Sequence, residues 1–307
     1  MSAAPAEQGG PSTDLDQAAA VFTEFRPRLF GIAYRMLGSV AEAEDIVQDA
    51  WLRWQSYDRS AVRSPIAFLS TTTTRLAINA AQSARARHET YIGPWLPEPV
   101  DTSADPALGA EHGEALQFAV LVLLEQLSPT ERAAYVLRES FDYPYRQIAD
   151  ILQTTEPAVR KLVSRARKHI SNGRKTPVSP TEHRRLLAAF IDAARSGDLE
   201  SLEQLFSEDV VSYSDGGGIV RASRIPVFGR SRVAKYVKAF ASHFWIGVEL
   251  TWLDTNGQAS VLISRDNTAI AVATVTASDN GIDQVMWLMN PEKLAVISAN
   301  MARQAHH

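Results

Sequence analysis

The stretch from Tyr143 to Ile170 reads YPYRQIADILQTTEPAVRKLVSRARKHI, and its spacing leaves little choice of local fold. Ile148, Ala149, Ile151 and Leu152 give a short first helix one apolar side. Val159, Leu162, Val163, Ala166 and Ile170 recur at three and four residues and give a second helix another. The two stripes meet only if the chain turns sharply between them. Gln153-Thr154-Thr155 supplies polar turn residues, Thr155 is placed to cap the second helix, and Pro157 falls in its first turn, where a missing N–H is harmless. The spacing predicts a helix-turn-helix.

The outer face of the second helix carries Arg160, Lys161, Ser164, Arg165, Arg167 and Lys168 and almost no acid. Such a helix fits the major groove of DNA: basic side chains neutralise phosphates, and Arg160, Lys161 and Ser164, near the amino-terminal half, are placed to reach base edges. The plainer alternative is a solvated helix in an ordinary bundle.

The formal net charge of −4 over 307 residues argues at first against a nucleic-acid partner, but the charge is unevenly spread. Residues 143–175 hold eight Lys/Arg against Asp150 and Glu156, a balance of +6. Residues 93–112 hold Glu98, Asp101, Asp105 and Glu111 and no Lys or Arg, a balance of −4. One basic module in acidic surroundings binds duplex DNA weakly by itself, which suggests action beside a larger partner. With no cysteine, disulfides, thiol catalysis and cysteine-ligated zinc are excluded. The opening MSAAPAEQGGPSTD reads as a disordered tail rather than a secretion signal, no stretch is apolar enough for a membrane span, and the expected compartment is the cytoplasm.

In chain order, residues 1–14 form the tail and residues 15–92 a first helical domain. A helix is expected over Leu15–Leu37, with Pro27 as an interruption, then one over Val40–Gln55 that buries Ala43, Ile46, Val47, Ala50, Trp51 and Trp54. Its other face shows Asp45, Gln48, Asp49 and Arg53. A polar loop, Tyr57–Ser64, precedes a third helix from Pro65, in which Thr71 to Thr74 are poor helix formers that burial must hold. Residues 93–112 form an acidic, proline-rich linker, where GPWLPEP cannot be regular structure. Residues 113–175 form a second helical domain, with helices over Glu114–Gln126 and Pro129–Ser140 before the helix-turn-helix. After GRKTPVSP, residues 181–307 change character: helices at Thr181–Ser196 and Leu199–Phe206 precede strand-like runs at 210–214, 219–222, 246–253, 259–264, 269–277 and 284–289, with Arg230–Phe244 helical among them. The fold class is multidomain: two all-α domains followed by an α+β cone with a curved antiparallel sheet.

LFGIAYRMLGSVAEAEDIVQDAWLRW at 29–54, the basic helix ending SARARHETY and the helix-turn-helix, in this order, resemble regions 2 and 4 of a bacterial extracytoplasmic-function sigma factor. GPWLPEP, SDGGGIVRA and NPEKL are similar to the subgroup with a fused SnoaL-like, NTF2-type domain at the carboxyl end. The resemblance implies a protein that is no enzyme, needs no cofactor or metal, and binds core RNA polymerase, through the β′ clamp helices and the β flap, and promoter DNA. It implies polymerase contacts at Asp45, Gln48, Asp49 and Arg53, and −10 contacts at Tyr57, Arg59, Arg75, Asn79, Arg85 and Arg87. The −35 contacts would be Arg160, Lys161, Ser164, Arg165, Arg167 and Lys168. Regulatory contacts between the SnoaL-like domain and the linker are implied at Trp95, Leu96, Pro97, Asp215, Gly216, Gly217, Gly218, Asn290, Pro291 and Lys293. Gln82 stands where such factors often carry Arg, and Ile219 follows the glycines where the subgroup commonly has Lys.

Two rivals stay open. SnoaL-like folds include cyclases and isomerases that use an Asp/His pair, for which Asp215 and His243 are the candidates, with Tyr213, Trp245, Trp252 and Trp287 as lining; an unknown small ligand in this domain is a related possibility. A stand-alone helix-turn-helix repressor would bind its site without polymerase.

Overall fold

The computed structural model describes residues 11–102, 117–173 and 175–304, with side chains for all of these except 11–14, 85–89, 296 and 299–304. The expected tail at 1–10 and the linker segment 103–112 lie outside the described residues.

The first bundle consists of α1 (Pro11–Leu37), α2 (Val40–Ser56) and α3 (Pro65–Glu89). α1 begins at Pro11 rather than Leu15 and runs through Pro27 without ending. Ser39 caps α2 by accepting from the Glu42 amide, and Asp58 caps the short turn Arg59–Ala61. Thr73 and Thr74 are fully buried in α3, so packing holds that poor helix former, as the sequence requires. The second bundle contains α4 (Phe118–Glu125), α5 (Pro129–Glu139), α6 (Tyr145–Leu152) and α7 (Glu156–Gly173). Ser128 and Glu131 form a reciprocal capping box at α5, with Pro129 in its first turn. Gln153 turns left-handed (φ 53°) between α6 and α7, and Thr155 accepts from the Ala158 amide, which gives the predicted helix-turn-helix.

The two bundles share one continuous hydrophobic core, in which Leu29, Ile32 and Leu69 of the first join Val136, Leu137 and Ile148 of the second. Polar ties reinforce it. Arg132, buried, donates to the Met36 carbonyl at 2.5 Å; Arg28 donates to the Phe141 carbonyl at 2.9 Å; and the hydroxyls of Tyr143 and Ser70 are 2.6 Å apart.

The C-terminal part is the α+β cone: α8 (Pro180–Ser196) and α9 (Leu199–Leu205), β1 (Phe206–Asp215), β2 (Val227–Phe228), α10 (Arg230–Phe244), β3 (Val248–Thr255), β4 (Gln258–Arg265), β5 (Thr268–Ser278), β6 (Gly281–Leu288) and α11 (Pro291–Gln304). Strand order is β2-β1-β6-β5-β4-β3. The sheet is mixed rather than antiparallel, because β1 enters from α9 and pairs parallel with β6. Residues 219–222, expected as a strand, form a turn: Gly217 and Gly218 take positive φ, and the Ile219 and Val220 amides both donate to the Gly216 carbonyl. The final helix, α11, was not anticipated.

The sheet has two different faces. The concave one packs Val261, Ile263, Ala273 and Val285 against Leu187, Phe190 and Val237 of α8 and α10. The convex one packs Leu262, Val272, Met286 and Leu288 against Leu294 and Ile297 of α11, and also against Phe118 of the second bundle and Leu96 of the linker. The linker therefore runs between the helical bundles and the back of the sheet.

Candidate functional site

On α7, Lys161, Ser164, Arg165 and Lys168 stand opposite the buried row Val159, Val163, Ala166 and Ile170, while Arg160 and Arg167 flank it. All six are exposed. Their ion pairs are local: Arg165 donates to Glu131 at 2.8 Å, Arg167 to Glu139 at 2.7 Å, and Arg160 to Glu156 at 2.6 Å while lying over the Tyr145 ring. The Glu139 hydrogen bond raises the pKa of Arg167. Such exposed pairs are weak, on the order of 0–1 kcal/mol, and exchange readily for phosphate.

The expected −10 residues are placed unevenly. Tyr57 is exposed and leans on Phe68, and Asn79 is exposed on α3. Arg59 folds back onto the end of α2, donating to the Trp54 and Gln55 carbonyls. Arg75 crosses to the second bundle and donates to the carbonyls of Ile151 (2.9 Å) and Asp150 (3.2 Å), at the carboxyl end of α6, where helix carbonyls are in need of donors. The side chains of Arg85 and Arg87 lie outside the described residues. On α2, Asp45, Gln48, Asp49 and Arg53 are exposed on one side. Leu52, which the sequence reading passed over, is exposed among them at 52%.

The expected regulatory residues converge on Asp215. Fully buried at the end of β1, its carboxylate accepts from the Tyr91 hydroxyl (2.5 Å), the Leu96 amide (2.9 Å), the Gly217 amide (3.1 Å) and the Lys293 ammonium (2.7 Å). Lys293 also donates to the Leu96 carbonyl and lies over the rings of Trp95 and Tyr91. Burial pulls the pKa of Lys293 below its ordinary value, against the opposing pull of Asp215. Burial, then the bond to Asp215, raises that of Tyr91. Asn290 donates to the Tyr91 hydroxyl and accepts from the Glu292 amide, so it caps α11 while it holds Tyr91 just before the linker. Gly217 lies against Asn290 and Gly218 against Ile92 so closely that a Cβ at either would sit under 3 Å from a neighbour. Gly216 is equally enclosed, by the Val220 carbonyl and Ala222. Pro291 opens α11 and is exposed.

The linker is gripped from its other side by α1 and α2. Trp95 packs on Gly38, whose φ of +65° and lack of a side chain are both needed there. Pro97 is buried beside the same glycine. The Glu98 carboxylate accepts from the Val40 amide (2.6 Å) and the Ser39 hydroxyl (2.9 Å), adding a second cap to α2. Further on, the β3–β4 turn reaches the same place. Asn256 exchanges hydrogen bonds with both the amide and the carbonyl of Val100 and donates to the Tyr34 hydroxyl, which itself donates to the Glu98 carbonyl. Tyr34, Glu98 and Asn256 were missed as contacts. The only local hint was the Asn-Gly pair at 256–257, a tight-hairpin signal.

The Asp/His pair expected of a catalytic cone is not assembled. Asp215 is spent on the linker, and His243 is exposed, against Phe240. Of the expected lining, Trp245 and Trp287 do face a cavity. Tyr213 packs on the convex face, and Trp252 is an outer residue under Arg184. Among the described residues no cluster of His, Cys, Asp and Glu fits a metal, and no helix is long and apolar enough to cross a membrane.

Comparison with known proteins finds relatives for both helical bundles. The family model for sigma-70 region 2 matches residues 21–87, and that for sigma-70 region 4 matches residues 117–170. The ECF RNA polymerase sigma factor SigJ of Mycobacterium tuberculosis is 36% identical over 236 residues, covering 74% of each chain. The probable ECF RNA polymerase sigma factor SigI of the same species is 29% identical over 290 residues, covering 93% of this chain and 98% of its own. The crystal structure of M. tuberculosis SigJ superposes with a TM-score of 0.73 at 31% identity, covering 90% of this chain and 98% of that one.

Proposed function

Since the chain belongs to the extracytoplasmic-function sigma factors of the sigma-70 family, we propose that the arrangement described above is its resting state, held shut in cis by the C-terminal cone. In the cytoplasm, beside its polymerase, α2 offers Asp45, Gln48, Asp49, Leu52 and Arg53 to the clamp helices. Tyr57, Arg59, Arg75, Asn79, Arg85 and Arg87 then hold the melted −10 strand, where stacking and phosphate contacts offset unpairing. The exposed row of α7 reads the −35 duplex. The domain limits carried into this reading are those of the sequence: 15–92 for region 2, 113–175 for region 4 and 181–307 for the cone.

The observation that supports it best is the position of Arg75. A side chain needed at the −10 strand is engaged by region 4, at the edge of a core that joins the two regions. Two promoter elements occupy separate places along a duplex, so regions packed together serve only one at a time. Opening therefore accompanies engagement, and the cone, which grips the linker through Asp215, Lys293 and Asn256, sets its free-energy cost.

Run-off transcription with core polymerase and a library of genomic promoter fragments tests the reading. Specific starts that depend on the added protein are expected, with yield altered when the chain is truncated before Thr181. An absence of specific starts would remove the promoter-directing role, and unchanged yield and promoter choice on truncation would remove the cis regulation.

A further inference from the structure

Region 4 is not the only basic stretch of the chain. Residues 216–248 carry Arg221, Arg224, Arg230, Arg232, Lys235 and Lys238 and no Asp or Glu, a balance of +6, equal to that of residues 143–175. On α10, Val233, Ala234 and Val237 are buried in the cone, which turns Arg232, Lys235 and Lys238 outward in a row on the opposite side. Arg221 and Arg224 are exposed on the connection before the helix, and Arg221 shares a cleft with Tyr236.

Most of this charge is uncommitted. Arg230 pairs with Glu208 at 2.9 Å and is discounted. Among the described residues, none of Arg221, Arg224, Arg232, Lys235 and Lys238 forms an ion pair. Two acids stand nearby: Glu203, beside Arg232 in an open groove, and Asp198, engaged by Ser201 and within electrostatic reach of Lys238. On α7, by comparison, Arg160, Arg165 and Arg167 are each paired with a glutamate. The row also weighs on its own helix. Like charges three residues apart repel, and Arg230 and Arg232 stand in a first turn without an acid, against the helix dipole. A polyanion would relieve both.

We propose that this face is a second DNA-binding surface, in which Arg232, Lys235 and Lys238 lie along phosphates of the duplex upstream of the −35 element. The inference rests on the promoter-directing reading above, and the position of α10 in the molecule supports it. A recognition helix enters the groove by its amino-terminal half, so the carboxyl end of α7 leads out towards the cone. There Lys175 donates to Asp209 of β1, and the carbonyl of the next residue, Val210, accepts from the amide of Gly229, where α10 begins. Six residues, 174–179, separate α7 from α8. Even in the open arrangement they keep the cone within about 25 Å of the helix seated at −35. Downstream of that element lie region 2 and −10, so the duplex left for the cone is upstream. A row of charge without amide side chains suits phosphates, adding affinity and salt dependence rather than sequence preference. A lipid surface is less well matched: the apolar side of α10 is buried in the cone and is not offered to acyl chains.

Arg232→Gln, Lys235→Gln and Lys238→Gln, combined in one variant, alter exposed side chains only. Binding of the full-length protein to a random duplex of about 30 base pairs, read by fluorescence anisotropy over roughly 25 to 150 mM salt, should show a log–log salt slope smaller by about 2 to 3 in the variant. With polymerase, the variant should bind about tenfold more weakly to a promoter fragment that extends about 30 base pairs upstream of −35. That difference should disappear on a fragment cut at the −35 element. No duplex binding by the wild type at the lowest salt, or equal slopes in both proteins, would overturn the surface. An equal loss on both fragments would overturn its upstream placement. Capture by phosphatidylglycerol vesicles that is lost in the variant, with duplex binding unchanged, would assign the row to lipid and overturn the proposal. A polymerase that makes no specific starts with the wild-type protein would count against the sigma reading, and the free-duplex slopes would still decide the surface.

Discussion

At the scale of single residues, the decisive group is Asp215, a carboxylate with no exposure and four donors, one of them the linker's Leu96 amide and another the hydroxyl of Tyr91 just before the linker. Its partner Lys293 is the point at which the arrangement is most vulnerable. Lys293→Met keeps the length and apolar stem of the side chain but leaves a buried charge without its counter-ion, a loss of about 3–5 kcal/mol. The urea midpoint of the full-length protein should fall accordingly; an unchanged midpoint would mean that the pair does not hold the linker. A second residue gives a pH dependence. His183 is buried on α8 with Nε2 2.8 Å from the Val275 carbonyl, and burial lowers its pKa below the ordinary 6.5. The unfolded chain takes up this proton at about pH 6.5, while the folded one holds out to lower pH, so stability present above pH 6.5 is lost as the pH falls below it. Urea midpoints at pH 7.5 and 5.5 should differ more in the wild type than in His183→Gln, and equal differences would refute the assignment. Asp215 and Lys293 were legible as contacts only through motif resemblance. Tyr34 and Asn256 were not legible at all, because they meet across 222 positions of sequence with no periodicity linking them.

At the scale of elements, helices with a clear apolar stripe were readable to within a few residues: α2, α5, α7 and α10 fall where their spacing and caps put them. Departures have local causes. Three glycines turned the apolar run at 219–222 from a strand into a turn, and Pro27, expected to interrupt α1, sits within a helix whose other contacts hold it. The parallel pairing of β1 with β6 is set by topology, which strand-by-strand reading does not reach. The hairpin between β3 and β4 tests the grip at this scale. Asn256 has a φ of 55°, which glycine adopts freely, so Asn256→Gly preserves the turn while it removes the side-chain bonds to Val100 and Tyr34. The linker should become easier to cleave by limited proteolysis near Val100, with the cone still folded by circular dichroism. Unchanged cleavage would show that the hairpin tip does not restrain it.

At the scale of the whole molecule, the basic face of α7 and the exposed face of α2 are both presented outward, while the two helical regions are fused through a shared core and the linker is closed under the cone. A chain with a net charge of −4 gains little from DNA alone, so in the proposed reading polymerase is the partner that offsets the cost of separating the regions. The absence of cysteine allows this separation to be measured cleanly. Spin labels at Ser83→Cys on α3 and Ser171→Cys on α7, both exposed positions, report the distance between the two regions by double electron–electron resonance. A short, narrow distribution in the free protein and a longer one on core polymerase is the predicted result. The same short distribution in both would contradict the account.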